Sequence, residues 1–450
     1  MGSRQPPLDF ATLVSASGRL HHWTGVYLAK FRRSGGVHFF SAQIFSQFLS
    51  FGSSLLVVRF LSPGDLGESR VIATYNNYLL LLGGLGLTAG VVVYFPRERD
   101  PEAKLRWFNT MALVSVAFTA LLGVLAGLAS AGGHLMAHPG TAYWFRWSII
   151  GAVANSSVAM LTAYYQAERE IKKLSGVQSV VRCFNVALIV VLAWAFGFPG
   201  YVVAVAAGSC AAAASLFRAS RWRWLFARLR DLPPGLWSLA LFAFGATVIC
   251  QIGRSMDMLM LDRMAHDRPL LGCFALATSL LLLPGLFTST IQQVANPYFA
   301  PHHGDRHWLV STAIKTQVIA TLGSFVLAVA VYTGTMVLLR WVYTPAYRPT
   351  EFLMLPMLAA YVLNSSYHLL SSALFAAGLT RVNFQVSVLM LPVSLGCSYF
   401  GIRSHGVAGA AWAQFANAAF YALLQHALGW RALLRLPAGP GGNGPATTPA

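Results

Sequence analysis

The chain has 450 residues, 56% of them hydrophobic and only 10% charged, and its mean hydropathy is +0.58. A water-soluble domain carries about 25% charged residues, so this composition excludes a protein whose whole surface faces water. The formal net charge of +18 lies mostly in short segments between apolar runs, where Lys and Arg set membrane orientation, so no nucleic-acid partner is expected.

Residues 1–36 are too long, and too interrupted by Arg, Lys and His, for a cleaved signal peptide; they read as a cytoplasmic segment. Leu20, Trp23, Tyr27 and Phe31 suit a stretch lying on the membrane surface. Apolar runs then follow near 37–60, 71–95, 108–130, 147–166, 180–198, 200–218, 237–262, 272–299, 312–339, 352–376, 382–402 and 407–429. Most reach the ~20 residues that cross ~30 Å of hydrocarbon as helix, and they are termed spans 1 to 12 here. Spans 5 and 6 are divided by Phe198-Pro199-Gly200, and spans 11 and 12 by Arg403 to Gly406. With the N-terminus inside, 21 Lys and Arg fall on the cytoplasmic side and 7 on the other, which places both termini in the cytoplasm.

The sharpest break is 219–236. There Trp222, Leu225, Phe226 and Leu229 recur at helical spacing with Arg on the opposite side, as in a helix lying in the cytoplasmic interface. It divides an N-lobe, 37–218, from a C-lobe, 237–429; the tail 430–450 ends in a Gly/Pro/Thr-rich stretch expected to be disordered and cytoplasmic. The halves resemble repeats. Arg59 opens a short loop to Gly67 and a helix runs to Tyr94; Arg263 opens a similar loop to Gly272 and a helix runs to Tyr298, with Gly-to-Tyr spacings of 27 and 26. Even-numbered halves predict parallel repeats about an axis along the membrane normal. The expected fold is all-α and polytopic, with about twelve spans in two six-helix lobes.

Polar residues inside the spans fall into stripes. Gln43, Gln47, Ser50 and Ser54 share a face of span 1, within about 60° of one another. Arg70, Thr74, Asn77, Gly84 and Thr88 do so on span 2, Thr288, Gln292 and Asn296 on span 8, and Tyr361, Asn364, His368 and Ser371 on span 10. Such rows face either protein or water, and amides and hydroxyls suit sugars; hydrogen bonding between helices is the alternative. On span 7, Arg254 and Asp257 stand at i, i+3, a spacing that permits a neutral structural pair. Asp257 and His368 are the candidates for ion coupling. Cys183, Cys210, Cys250, Cys273 and Cys397 lie in or beside apolar runs with no metal-ligand spacing, so neither disulfide, metal nor cofactor is expected.

Five stretches carry a family resemblance: Arg59-Phe-Leu-Ser-Pro-Gly-Asp-Leu-Gly67, Gly83-Gly-Leu-Gly-Leu-Thr-Ala-Gly-Val-Val-Val-Tyr94, Asp257-Met-Leu-Met-Leu-Asp262, Trp341-Val-Tyr-Thr-Pro-Ala-Tyr347 and His405-Gly-Val-Ala-Gly-Ala-Ala-Trp-Ala413. In order and spacing the chain resembles the Wzx-type lipid-linked oligosaccharide flippases, within the multidrug/oligosaccharidyl-lipid/polysaccharide exporter superfamily. The resemblance implies a central cavity between the lobes that opens alternately to each side, in a bacterial inner membrane. It implies a polyprenyl-pyrophosphate-linked sugar as substrate, membrane lipids around it, and a polysaccharide polymerase and other assembly proteins as partners. Arg254, Arg70, Gln47, Asn77, Gln292 and Asn364 are then the candidate substrate contacts, with Arg254 read as a guanidinium for the pyrophosphate. No carboxylate lies between residues 37 and 60, where drug-exporting relatives commonly carry one. A drug or cation antiporter is the first alternative. A polytopic glycosyltransferase or polymerase would need clustered catalytic residues in large outer loops, and the longest here, 131–146, has no carboxylate. The chain reads as a transporter and not an enzyme, and it has no phosphate-binding Gly-x-x-x-x-Gly-Lys-Ser/Thr loop.

Overall fold

A computed structural model describes residues 49, 52, 53, 55–98, 100–168, 170–220, 232, 233, 235–264, 267–299 and 306–436. The N-terminal segment, most of span 1 with Gln43, Gln47, Ser50 and Ser54, linker positions 221–231 and the tail beyond 436 lie outside the described residues. So do the side chains of Arg254 and Asn296, although their helices are described. Among the described residues all regular structure is helical, as expected.

The first complete helix, α1 (Pro63–Gly84), begins four residues before Gly67, inside the stretch 59–67 expected as a loop. Ser62 Oγ accepts from the Asp65 amide at 3.2 Å and the Asp65 carboxylate accepts from the Ser62 amide at 3.3 Å, so two amides at the helix start are satisfied reciprocally. The proline at the first position needs no intrahelical donor there. Leu85 and Gly86 then turn left-handed, at φ 47 and 69, and α2 (Leu87–Tyr94) leaves at 50° to α1. Gly86 is required at this bend, because a Cβ there would lie 2.1 Å from the Ala240 carbonyl oxygen.

The chain continues through α3 (Pro101–Ala131), α4 (Pro139–Ala167) and α5 (Ile171–Ala219), then α6 (Leu236–Met264), α7 (Arg268–Leu280), α8 (Leu282–Phe299), α9 (Arg306–Trp341), α10 (Thr350–Ala376) and α11 (Thr380–Leu434). Seven described helices or merged helices are long and apolar enough to cross a membrane, or eight if the bent α1–α2 pair is one span. The longest two each break at a glycine of nearly the same conformation, Gly197 (φ 63, ψ −138) and Gly406 (φ 57, ψ −131). Both fold back on themselves there. In α11, Asn383 pairs with Gln425, Ser387 with Tyr421 and Ser394 with Asn417, and Gly401 packs on Gly409, so rising numbers on one arm meet falling numbers on the other. In α5, Gly200 abuts Leu192 and Gly208 abuts Asn185 in the same antiparallel sense.

Two apolar clusters stay within one half of the chain: one holds residues between Val57 and Val202, the other α8–α11 residues around Phe299, Leu370 and Leu433. A third packs α2, α3, α4 and α5 residues against Leu236 and Ala240 at the start of α6. The largest crosses between the halves: Val58, Leu66 and Val71 pack with Leu261, with Leu271 to Leu280 of α7, and with Tyr347 and Ala410. This joint lies at the end of the bundle where the loops before α1, α4, α7 and α10 gather, the end expected to face outward.

Candidate functional site

At that joint α1 crosses α7. A Cβ on Gly67 would lie 3.0 Å from the Gly272 amide nitrogen, and one on Gly272 would lie 1.6 Å from the Pro63 carbonyl oxygen. The two glycines that align as repeat equivalents in the sequence therefore touch each other, as residues beside a two-fold axis do. Contacts around them are reciprocal. The loop before α4 meets the end of α6, where the Ala137 amide donates to Asp262 at 3.4 Å and Arg263 donates to the His134 carbonyl. The loop before α10 meets the end of the opposite half, where the Tyr347 hydroxyl donates to the Leu61 carbonyl at 3.1 Å. Burial, with Cys273 and Asp65 nearby, raises the Tyr347 pKa, so the phenol stays a neutral donor at physiological pH. Arg268 on α7 reaches Glu68 on α1 at 2.5 Å, and among the described residues it is the one ion pair that links the halves.

Inward of the crossing the seam becomes polar. Arg70 and Ser279 lie three and seven residues past the touching glycines, roughly 5 and 10 Å along their helices, and the partly buried Arg70 guanidinium donates to the Ser279 hydroxyl. Among the described residues no carboxylate pairs with Arg70. The guanidinium is only partly buried, so an anion or water can use its remaining N–H donors. Deeper on the same helix, Tyr78 accepts from the Ser255 hydroxyl of α6 at 3.1 Å, and Gln251 donates to Ser255 at 3.0 Å. Asp257, two residues on, accepts from Gln414 of α11 at 2.5 Å. The seam is thus built by α1, α6, α7 and α11.

The expected site residues distribute unevenly over it. Arg70 and Asp257 are at the seam. Asn77 is exposed on α1, on the face that also carries Gly84, where a Cβ would meet no described atom within 4 Å. Gln292 on α8 is partly buried. Asn364 accepts from the Tyr367 hydroxyl at 2.8 Å, and the His368 ring lies 5.2 Å from the Tyr367 ring, which stacks on Tyr421 at 4.8 Å. Two members of the stripes bond within the second half: Thr288 donates to Tyr361 at 3.0 Å, and Tyr361 donates to Ser324 at 3.3 Å. Gln47 and the Arg254 side chain lie outside the described residues.

Sequence reading missed two polar seams. One runs on α9 as Gln317, Thr321 and Ser324, at i, i+4, i+7; the other is the α11 ladder, whose Asn417, Tyr421 and Gln425 stand at i, i+4, i+8. Both spacings are visible in the sequence. No metal-binding group of His, Cys, Asp and Glu occurs among the described residues.

Helices of this length, a bent second span and a polar seam between two halves define a polytopic membrane protein. The fold matches a structure of the lipid II flippase MurJ in an inward closed conformation (14% identity, 86% of each chain covered, TM-score 0.73). It also matches an inward-facing multidrug resistance MATE family transporter of the MOP superfamily (14% identity, 87% of this chain and 95% of that one, TM-score 0.70) and a Vibrio cholerae MATE transporter (14%, 88% and 96%, 0.58). No curated protein sequence gives a match. A family model described as "Polysaccharide biosynthesis protein" matches residues 33–303, more than half of the chain, and the chain belongs to that family.

Proposed function

We propose that this protein is an alternating-access flippase carrying a polyprenyl-pyrophosphate-linked oligosaccharide from the cytoplasmic to the periplasmic leaflet, for O-antigen or exopolysaccharide assembly. The observation that carries this reading is Arg70: a guanidinium at the seam of a polysaccharide-family protein, bonded to a serine and to no described carboxylate. Guanidinium matches phosphate geometry through paired N–H donors. The similarity to a lipid II flippase fold supports a lipid-linked substrate, and the amides and hydroxyls of Asn77, Gln292 and Asn364 suit its sugars. Gln47 and Arg254 complete the proposed contacts. The halves 37–218 and 237–429 act as two six-helix lobes, with the 219–236 linker and both termini cytoplasmic and no reaction catalysed. Polysaccharide polymerase and other assembly proteins are the proposed downstream partners.

Outward movement of a dianion across 100 mV gains roughly 4–5 kcal/mol, so the membrane potential alone can drive export. Asp257, bonded to Gln414, is the group on which ion coupling would act, and it also favours the second reading, a cation or drug antiporter. His368 is the other coupling candidate.

Arg70→Ala is expected to lower export by about a hundredfold at wild-type membrane abundance, with Arg70→Lys recovering only part, because a point charge replaces a planar fork. The measurement is appearance of the lipid-linked sugar in the outer leaflet of proteoliposomes. Full export by Arg70→Ala would remove the phosphate reading.

A further inference from the structure

Gln317 of α9 is almost fully buried, and its carboxamide is used to capacity on the backbone of a neighbouring helix. Its Oε1 accepts from the Leu369 amide at 2.9 Å and from the Leu370 amide at 3.2 Å. Its Nε2 donates to the Ser365 carbonyl at 2.6 Å and to Thr321 Oγ1 at 3.2 Å. An amide group offers two donor hydrogens and two acceptor lone pairs, and all four are engaged. In an uninterrupted α-helix the Leu369 amide would donate to the Ser365 carbonyl. The side chain of Gln317 engages both members of that pair, so it sits in the hydrogen-bond ladder of α10.

Insertion of a side chain into the ladder is one of the few causes of a sharp helix bend. The insertion falls between Asn364 on one side and Ser371 on the other. One turn and then two turns outward, Thr321 and Ser324 continue the same face of α9, and Ser324 accepts from Tyr361 of α10. The outer part of α10 is thereby clamped to α9 independently of the Gln317 site. Beyond the wedge, Ser371 uses its backbone carbonyl to accept from Asn383 at 3.2 Å, which leaves its hydroxyl on the stripe.

We propose that Gln317 is a positioning residue for substrate: its carboxamide, wedged between Ser365 and Leu370, fixes the register of His368 and Ser371 relative to Asn364. The part that concerns sugar rests on the reading of the α10 stripe as a substrate face. The positioning itself does not. No other residue type reproduces the wedge. A buried Glu is neutral and keeps an acceptor and one O–H donor but loses the second donor, while Leu and Met of similar size lose all of them and let the α10 ladder close.

The test uses the full chain with its five native cysteines replaced by serine, reconstituted in vesicles. Single reporters Asn364→Cys and Ser371→Cys are labelled with a water-soluble maleimide, each in the parent and with Gln317→Leu, Gln317→Met or Gln317→Glu. Expected is a severalfold change in the labelling rate at Ser371→Cys, unchanged labelling at Asn364→Cys, and a smaller change for Glu than for Leu or Met. Export measured on the same Gln317 variants without reporters should fall by about tenfold to a hundredfold, the range that a misplacement of about 1 Å produces. Unchanged labelling at Ser371→Cys in both Leu and Met variants overturns the proposal. A labelling shift with normal export upholds the positioning and overturns the sugar-facing reading of the stripe. Two apolar variants are made so that failure of one to accumulate leaves the other to decide.

Discussion

At the scale of single residues, the two ionic side chains described in the seam face different demands. Arg70 has a serine partner and Asp257 has Gln414, while the sequence puts Arg254 three residues before Asp257. Because Gln414 already donates to Asp257, this carboxylate has a hydrogen-bond donor independent of Arg254. If Arg254 serves the pyrophosphate, Arg254→Ala abolishes export, and adding Asp257→Ala does not bring it back. If the two charges only neutralise each other, the single change strands a carboxylate at a cost of about 3–5 kcal/mol and the double change relieves it. The expected outcome is an inactive single mutant and an equally inactive double mutant, both at wild-type abundance. Export restored in the double mutant would make the pair structural and leave Arg70 as the anion site.

At the scale of elements, the α1–α7 crossing depends on two glycines with unequal room. A methyl group on Gly67 would press a neighbouring backbone atom at 3.0 Å, which a small shift relieves, whereas one on Gly272 would overlap the Pro63 carbonyl oxygen at 1.6 Å. Gly272→Ala is therefore expected to hold the outer end open, at a cost of about 1–3 kcal/mol to the closed arrangement, and Gly67→Ala to do so weakly. Labelling of Ser279→Cys by an impermeant thiol reagent added outside should rise strongly with Gly272→Ala and little with Gly67→Ala; equal labelling in both would exclude this ranking. The sequence already carried the clue, since Gly67 and Gly272 open matching helices at matching distances from Tyr94 and Tyr298. It likewise placed the breaks in α5 and α11 within a residue of Gly197 and Gly406, where Pro199 or a lone glycine interrupts the apolar run. The bend between α1 and α2 was not legible, because it turns on Leu85 in a left-handed conformation and on Gly86 meeting Ala240, a contact from another helix. For the same reason the stripes were visible but their partners were not. Tyr361 lies in line with Asn364 and His368, yet it bonds Thr288 and Ser324, while Gln317, on a polar row of α9, reaches the backbone of α10.

At the scale of the whole molecule, the halves meet outward of Arg70 through apolar packing, the glycine crossing and the Glu68–Arg268 pair. Under the proposed alternating access these contacts part in each cycle, so they should stabilise one state without locking it. The ion pair suits that need. Both side chains are only partly exposed, at 13% and 34%, and such a pair contributes on the order of 1 kcal/mol, about a fivefold bias between states. Glu68→Arg and Arg268→Glu, made singly, place like charges against each other and should shift the protein toward the outward-open state. The swapped double variant restores opposite charges and should return both the outer accessibility of Ser279→Cys and the export rate most of the way to the parent. Raising the salt concentration should weaken the difference between single and double variants, because this pair is reached by water. If the double variant is as open as either single one, the pair does not couple the halves, and closure rests on the Gly67–Gly272 crossing and the apolar cluster around it.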